Sequence, residues 1–549
     1  MTIKNMKNPA VRWLYKHTKN VRSKVFLTVF LNIISSMSTV LFAVMMKNLI
    51  DDAVARNYSG LQKYSAFVFV LTIIIYVTFV SAHVVEERIT VTSMKDLRSF
   101  LISSLMRKDY VEIQKKHSGE WINLLFSDIK VISDGVSSIV PTIAGMSSRL
   151  IFAFITLAVL EPVLALIFMV SGMLIILGVS LFRGKLSSLH KDVQAKEDRL
   201  HAFLQEVIEN ILVVKVFGAE KYFDEKVDAE QDAYSESRMK RRKYRLISVN
   251  LFSFAFRMGY LLALMYGGYQ LINGTISYGT LTAVLHLVSQ MQQPFFNLSG
   301  ILPRIYETIA STERLMAVEQ ISEDEETEQV NHFEGLKAEH ISFAYDREKV
   351  IDDISFEIKP DEIMALTGVS GGGKSTLFLL LLGIYSPSEG RIQIQTEEGY
   401  LEPGRRTRSL FAYVPQGNAL FTGTIKDNVV FNHEFDAVKL EKALKTAEAY
   451  NFVNELPEKE NTKIGERGTG LSEGQVQRIA IARAIYSDAP VLLLDESTSA
   501  LDEMTEANVL NNIKELKDKT VLIVTHRPAA LKICTRHLLI RGHKIAEEF

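Results

Sequence analysis

The 549-residue sequence has one cysteine, Cys534, which excludes an intrachain disulfide framework and a cysteine-rich metal centre. An excess of one charge sign is also missing. Lys and Arg number 62 against 64 Asp and Glu, so the net charge is -2 and offers no general attraction for nucleic acid. The N-terminus lacks a short apolar core followed by a small-residue cleavage site, so no signal peptide is expected. Apolar residues are abundant instead. They make up 47% of the chain, and mean hydropathy is slightly positive, a combination rare in soluble chains of this length. The excess is concentrated in the first ~305 residues; the remainder has the composition of an ordinary α/β protein.

Six segments approach the ~20 apolar residues needed to cross a bilayer. They run over about 25–48, 64–85, 137–159, 162–183, 248–271 and 278–301. Lys4, Lys7, Arg12, Lys16, Lys19, Arg22 and Lys24 precede the first of them and place the N-terminus in the cytoplasm. An even number of crossings returns the chain to that side. The intervening stretches 49–63, 160–162 and 272–277 are short and nearly free of Lys and Arg. By contrast, 86–136 and 184–247 are long, charged and helix-prone, which predicts helices continuing far past the membrane on the inner side. The acidic run Glu323–Glu328 reads as a solvated linker.

Chemistry is concentrated in the last third. An apolar strand, Glu362–Leu366, leads into Gly368-Val369-Ser370-Gly371-Gly372-Gly373-Lys374-Ser375-Thr376, and a helix follows. These glycines let the backbone wrap phosphate with its N–H groups aimed at a helix N-terminus. Lys374 would reach the β/γ-phosphates, Ser375 would ligate Mg²⁺, and Thr376 would add a hydroxyl near the α-phosphate. Asp495 ends the strand Val491–Leu494, where a carboxylate can hold magnesium through water. Glu496 beside it can orient an attacking water. The pairing points to hydrolysis of a nucleoside triphosphate.

With these motifs the chain resembles an ATP-binding cassette (ABC) exporter of the half-transporter type over essentially its whole length. Leu471-Ser472-Glu473-Gly474-Gln475 is similar to the family signature and Gln416 to the Q-loop glutamine. Ser499-Ala500-Leu501-Asp502 resembles the D-loop, and His526 the switch histidine. Tyr345 matches the aromatic A-loop residue, and Gly465-Glu466-Arg467-Gly468 a segment particular to exporters. The resemblance implies an α-helical membrane domain of six long helices (1–310) and an acidic linker (311–330). An α/β P-loop ATPase domain (331–549) would follow, with a small antiparallel β-subdomain and an α-helical subdomain. It also implies two composite ATP sites in a dimer. Ser472 and the backbone N–H groups of Glu473 and Gly474 would face the γ-phosphate held by the partner's P-loop. Glu473 departs from the family pattern, which usually has glycine there.

The implied roles are adenine stacking for Tyr345, magnesium and water contacts for Gln416, and γ-phosphate contact for His526. Turns near Asp109-Tyr110 and 207–214 are expected to couple the cassettes to the membrane helices, and a multi-pass protein of the inner (plasma) membrane follows. Either a homodimer or a heterodimer satisfies these implications. Arg149, Arg257, His286 and Gln290, polar within apolar spans, are candidates for a cavity holding an amphipathic peptide, drug or lipid; the competing reading is that they satisfy one another across helices.

Overall fold

Apolar runs flanked by charged, helix-forming tracts become very long helices. The computed structural model describes residues 8–324, 328–345, 348–369, 371–417, 420–465 and 468–548. Lys4 and Lys7, residues 325–327 of the acidic run, Ser370, and Glu466 with Arg467 lie outside the described residues. Two compact units are present. One holds the residues up to Ser103 together with Ser118–Glu319; the other holds Ser104–His117 together with Gln320–Phe549.

The first unit is helical: α1 (Pro9–His17), α2 (Arg22–Val54) and α3 (Tyr58–Leu105) come first. The short α4 (Tyr110–Gln114) belongs to the second unit. After it come α5 (Ser118–Asn123), α6 (Ile129–Leu160), α7 (Pro162–Glu209), α8 (Ile211–Val216), α9 (Glu220–Ile272) and α10 (Tyr278–Glu319). The charged tracts extend the helices as expected. With 48 residues each, α3 and α7 are about 70 Å long, more than twice the ~30 Å hydrocarbon core.

All six expected spans fall on these helices. Among the described residues, four runs are long and apolar enough to cross a membrane: Lys19–Val54, Tyr58–Leu105, Ser118–Leu160 and Glu220–Ile272. On α7 the described apolar stretch is the shorter Pro162–Gly172. On α10, His286, Gln290, Gln292 and Gln293 dilute the apolar residues of the sixth expected span.

Small residues let these helices approach. A Cβ on Gly135 of α6 would lie 2.2 Å from Thr308 Oγ1 of α10. Val40, Ala153, Leu157, Ala263, Val284 and Leu287 form the apolar core between them. Near the same α6–α10 contact Asp128, 3% exposed, accepts from Arg314 Nε at 2.9 Å and from Ser311 Oγ at 2.8 Å. At the end of α10, Glu319 accepts from Trp13 Nε1 at 2.8 Å, which fixes α1 against it.

The second unit is built on two sheets. β1 (Gly335–Tyr345), β2 (Glu348–Ile358), β4 (Glu389–Thr396) and β5 (Gly399–Leu401) form an antiparallel sheet in the order β2-β1-β4-β5. The other sheet uses β3 (Ile363–Gly368), β6 (Phe411–Val414), β9 (Val491–Asp495), β10 (Thr520–Val524), β11 (Arg536–Arg541) and β12 (Lys544–Glu548). Its order is β12-β11-β3-β10-β9-β6, parallel apart from the edge strand β12. A two-stranded ribbon pairs β7 (Gly423–Thr424) with β8 (Lys463–Ile464).

Alternation along β10 explains the layers. Val521 and Ile523 enter one apolar core, and Leu522 and Val524 the other. A parallel strand covered on both faces must be apolar throughout, which is why it reads as a continuous run. The helices are α11 (Lys374–Leu381), α12 (Ile425–Val430), α13 (Ala437–Thr446), α14 (Tyr450–Glu455), α15 (Glu473–Ser487), α16 (Glu503–Lys514) and α17 (Pro528–Ile533).

Within the acidic run Glu323 and Glu328 are exposed, Asp324 is partly buried, and two of these carboxylates are paired. Glu323 pairs with Lys108 at 3.0 Å and Asp324 with Arg408, because two cations on neighbouring segments face it.

Replacing Asp128 with Ala removes the acceptor shared by Arg314 and Ser311. Arg314 is half-exposed, so the expected cost is about 2 kcal/mol rather than that of a fully buried pair. Denaturation in detergent should show the loss, with Asp128→Asn, which keeps one acceptor, in between.

Candidate nucleotide site and membrane cavity

Parallel strands deliver their C-terminal ends to one edge, and the expected nucleotide residues lie there. β3 ends at Gly368, where a Cβ would come 2.4 Å from the Ile540 carbonyl oxygen. The turn into α11 passes Gly373 at φ +91, and a Cβ there would meet the Val350 carbonyl oxygen at 2.9 Å. Lys374 is buried, and its Nζ donates to the carbonyls of Gly368 (2.8 Å) and Val369 (3.0 Å). Gly371 and Gly372 complete the loop. Tyr345 stands above α11, its hydroxyl 3.3 Å from Thr376 Oγ1.

Asp495 ends β9 at 2% exposure. Its Oδ2 accepts from Tyr413 at 3.2 Å, and Oδ1 is buried with no hydrogen-bond partner among the described residues. Burial, more than any neighbouring charge, pushes this carboxyl above its ordinary pKa. Glu496 turns out of the strand at φ +48, with its N–H held by the Val524 carbonyl at 3.1 Å. Gln416 Nε2 donates to Glu496 Oε2 at 2.7 Å. β10 pairs Val524 with Asp495, so His526, exposed two residues on, follows at the same edge.

The signature residues start α15. Ser472 is its N-cap: Oγ accepts from the Gln475 N–H at 3.3 Å, and Gln475 Oε1 accepts from the Ser472 N–H at 2.9 Å. Glu473 is exposed in the first turn, where the helix dipole favours a carboxylate. Gly474 allows a close approach: a Cβ would stand 3.0 Å from the Ala500 carbonyl oxygen.

The segment 499–502 is held from three sides. Gln477 Nε2 donates to Ser499 Oγ (3.1 Å), and its Oε1 accepts from the Ala500 N–H (3.0 Å). Arg527 Nη1 donates to the Leu501 carbonyl (2.8 Å) and to Glu506 (3.0 Å). Asp502 caps α16 by accepting from the Thr505 N–H at 3.0 Å, and that bond holds its carboxyl below its ordinary pKa. Gln477, Glu506 and Arg527 are absent from the sequence reading, and Tyr413 enters it only as a neighbour of the Q-loop Gln416; each acts through a partner remote in sequence.

In the first unit, Leu150, Phe154, Phe168, Phe256, Met291 and Phe295 help line a cavity of about 980 Å³ between α6, α7, α9 and α10. Ser171, Tyr266 and Gln292 are its polar members. Arg149, Arg257, His286 and Gln290 do not line it. Arg149 Nη1 instead donates to Gln293 at 2.7 Å, Gln290 Nε2 to the Thr39 carbonyl at 3.1 Å, and His286 lies against Phe42. Arg257 is exposed on α9. Cross-helix bonds thus engage Arg149 and Gln290, as expected where few polar partners exist.

A phosphate-wrapping turn, a strand-end Asp-Glu pair and a capped helix start define a nucleotide-hydrolysing domain fused to a membrane domain. Sequence profiles agree: "ABC transporter transmembrane region" matches residues 25–295 and "ABC transporter" matches 351–499. An ATP-dependent lipid A-core flippase of Desulfotalea psychrophila is 27% identical over 546 residues, 98% of this chain and 96% of that protein. The protein of the same description from Syntrophus aciditrophicus is 29% identical over 460 residues, covering 82% and 76%. A solved structure described as a bacterial Atm1-family ABC exporter with ATP bound shares the fold at a TM-score of 0.82 and 21% identity, covering 96% and 95%. The chain belongs to the ABC transporters as a half-transporter, one membrane domain fused to one nucleotide-binding domain. It is a multi-pass membrane protein with a cytoplasmic ATP-binding domain that couples ATP hydrolysis to transport.

Gly474→Ala should push the Ala500 carbonyl away and lower the ATPase rate about tenfold, equivalent to ~1.4 kcal/mol, while the unfolding midpoint stays put. Steady-state turnover of purified protein in nanodiscs checks this.

Proposed function

We propose that the protein exports or flips an amphipathic, lipid-like substrate from the cytoplasmic side by alternating access, working as a dimer with six crossings per chain. The cavity carries the lipid reading. At about 980 Å³ it has the volume of a ligand site, and its wall is almost wholly aliphatic and aromatic, suited to hydrocarbon rather than to a charged peptide. The description of the full-length relatives as lipid A-core flippases supports the same class.

In this reading Gly368, Ser370, Gly371, Gly372, Gly373, Lys374 and Thr376 bind the phosphates and Tyr345 stacks on adenine. Glu496 orients the attacking water, with Gln416 and His526 beside the γ-phosphate. Ser472, Glu473, Gly474, Gln475 and Asp502 complete the site of the second subunit. A magnesium ion suits the donors Ser375, Gln416 and Asp495. The orphaned, buried Asp495 Oδ1 is an oxygen poised for a cation, directly or through water, and such an ion would neutralise phosphate charge.

The dimer reading rests on α8 and its C-cap Phe217. Leu212, Val216 and Phe217 are 73%, 71% and 79% exposed, an apolar face suited to a second subunit. With Glu496 and His526 both in one chain, a homodimer is preferred.

Reconstituted vesicles carrying a fluorescent phospholipid test transport, with Glu496→Gln as the blank. ATP-dependent translocation is expected, while the variant binds ATP and neither turns over nor translocates. Turnover without movement of any lipid probe would end the lipid reading. Burial raises the Asp495 pKa, so ionisation becomes unfavourable to the folded state as pH rises through that value. At pH above that value Asp495→Asn should therefore raise the nucleotide-free unfolding midpoint while removing stabilisation by Mg²⁺ with ATP, both readable by thermal shift.

A further inference from the structure

The second unit contains a contact that the phosphate-side machinery does not use. β1 ends at Tyr345, and the stretch after α11 carries Tyr385. Their rings meet edge-on at 5.4 Å, and each also touches Phe343, at 5.0 and 5.2 Å. The Tyr385 hydroxyl donates to Gln114 Oε1 of α4 at 2.9 Å. Burial raises the Tyr385 pKa to about 12, so the hydroxyl keeps its proton at working pH. A ring exposed at the mouth of the phosphate cradle is thereby joined, through one intermediate ring, to a helix that lies 271 positions earlier in sequence.

Both ends of this path are held. On one side, the N–H of Asp109, the N-cap of α4, donates to the Ser322 carbonyl at 3.0 Å, and the Asp324 N–H donates to the Arg107 carbonyl at 2.8 Å. Buried Lys108 adds bonds to the Ile321 carbonyl (2.7 Å) and to Glu323 (3.0 Å). On the other side, Arg408 donates to the carbonyls of Leu382 (3.1 Å) and Gly383 (2.9 Å), at the end of α11, and pairs with Asp324. The stretch 382–385, the strand-like segment 321–324 and the start of α4 are thus pinned together. A displacement of the Tyr345 ring acts on Tyr385 within a fixed frame, with Gln114 as its outlet.

We propose that Tyr385 is a positioning residue that reports occupancy of the base position at Tyr345 to α4, giving the transporter a base-side route of coupling separate from the phosphate side. This rests on the reading of Tyr345 as the base-stacking residue. The route makes the response of α4 depend on the nucleobase and not on the triphosphate alone.

The test is hydrogen exchange on the full chain in nanodiscs with two probes, AMP-PNP and inorganic triphosphate. The latter is used at a concentration that protects the phosphate loop 368–377 to the same extent. In the wild type, AMP-PNP should slow exchange in 107–117 about fivefold by steadying the existing Tyr385–Gln114 bond, while triphosphate leaves it unchanged. Tyr385→Phe keeps the ring cluster and loses the donor. It should bind AMP-PNP within about twofold of wild type yet lose the protection of 107–117, with 473–487 unaffected. Gln114→Leu should behave alike.

Retained protection in Tyr385→Phe, or equal protection by triphosphate, overturns the route. Tyr345→Ala separates the underlying reading: a lowered AMP-PNP affinity supports stacking, and an unchanged one removes stacking and the route with it.

Discussion

Burial of β3, β10 and β9 on both faces is the constraint on which the cassette depends. Strands with no polar side chain to spare cannot host chemistry along their length, so the reactive groups gather where the strands end. Gly368, Asp495 and the approach to His526 then share one edge because parallel pairing aligns those ends, Val524 beside Asp495 and Ile540 beside Gly368. The two apolar cores on either face fix the strands in place, so the polar groups are left to the loops at that edge.

Asp495 shows what the arrangement costs. A carboxylate is kept at 2% exposure with one oxygen unpartnered, against the usual rule that buried polar groups are satisfied. Such a group costs the fold stability unless a partner reaches it. Lys374 is the complementary case: its buried ammonium turns back on the carbonyls of its own loop, which satisfy it in place of solvent.

Much of the architecture was legible in the chain. Long apolar runs and charged tracts marked the helices, and the glycines at 368, 371 and 373 marked a turn that only positive φ permits. Ser472, singled out as a signature residue, caps α15. Less legible were the polar residues of the membrane half. Arg149 and Gln290 stood out by composition, yet they bond across helices, while the cavity wall is formed by phenylalanines and methionines that look the same in sequence as lipid-facing ones. The acidic run was read as solvated because nothing nearby in sequence opposes it; Lys108 and Arg408 do so from more than 80 positions away on either side.

Sequence alone determined the class of the protein, the run of its phosphate-loop and strand-end motifs and the helical character of its membrane half. Those properties rest on local spacing: phosphate loops, caps and apolar periods are written within a few residues. Only tertiary structure decided which groups meet across long separations. Asp128 with Arg314, Gln477 with the 499–500 turn, Tyr385 with Gln114, and the walls of the cavity are pairings between distant segments. They are set by packing and close approach, which leave no local period in the chain to read.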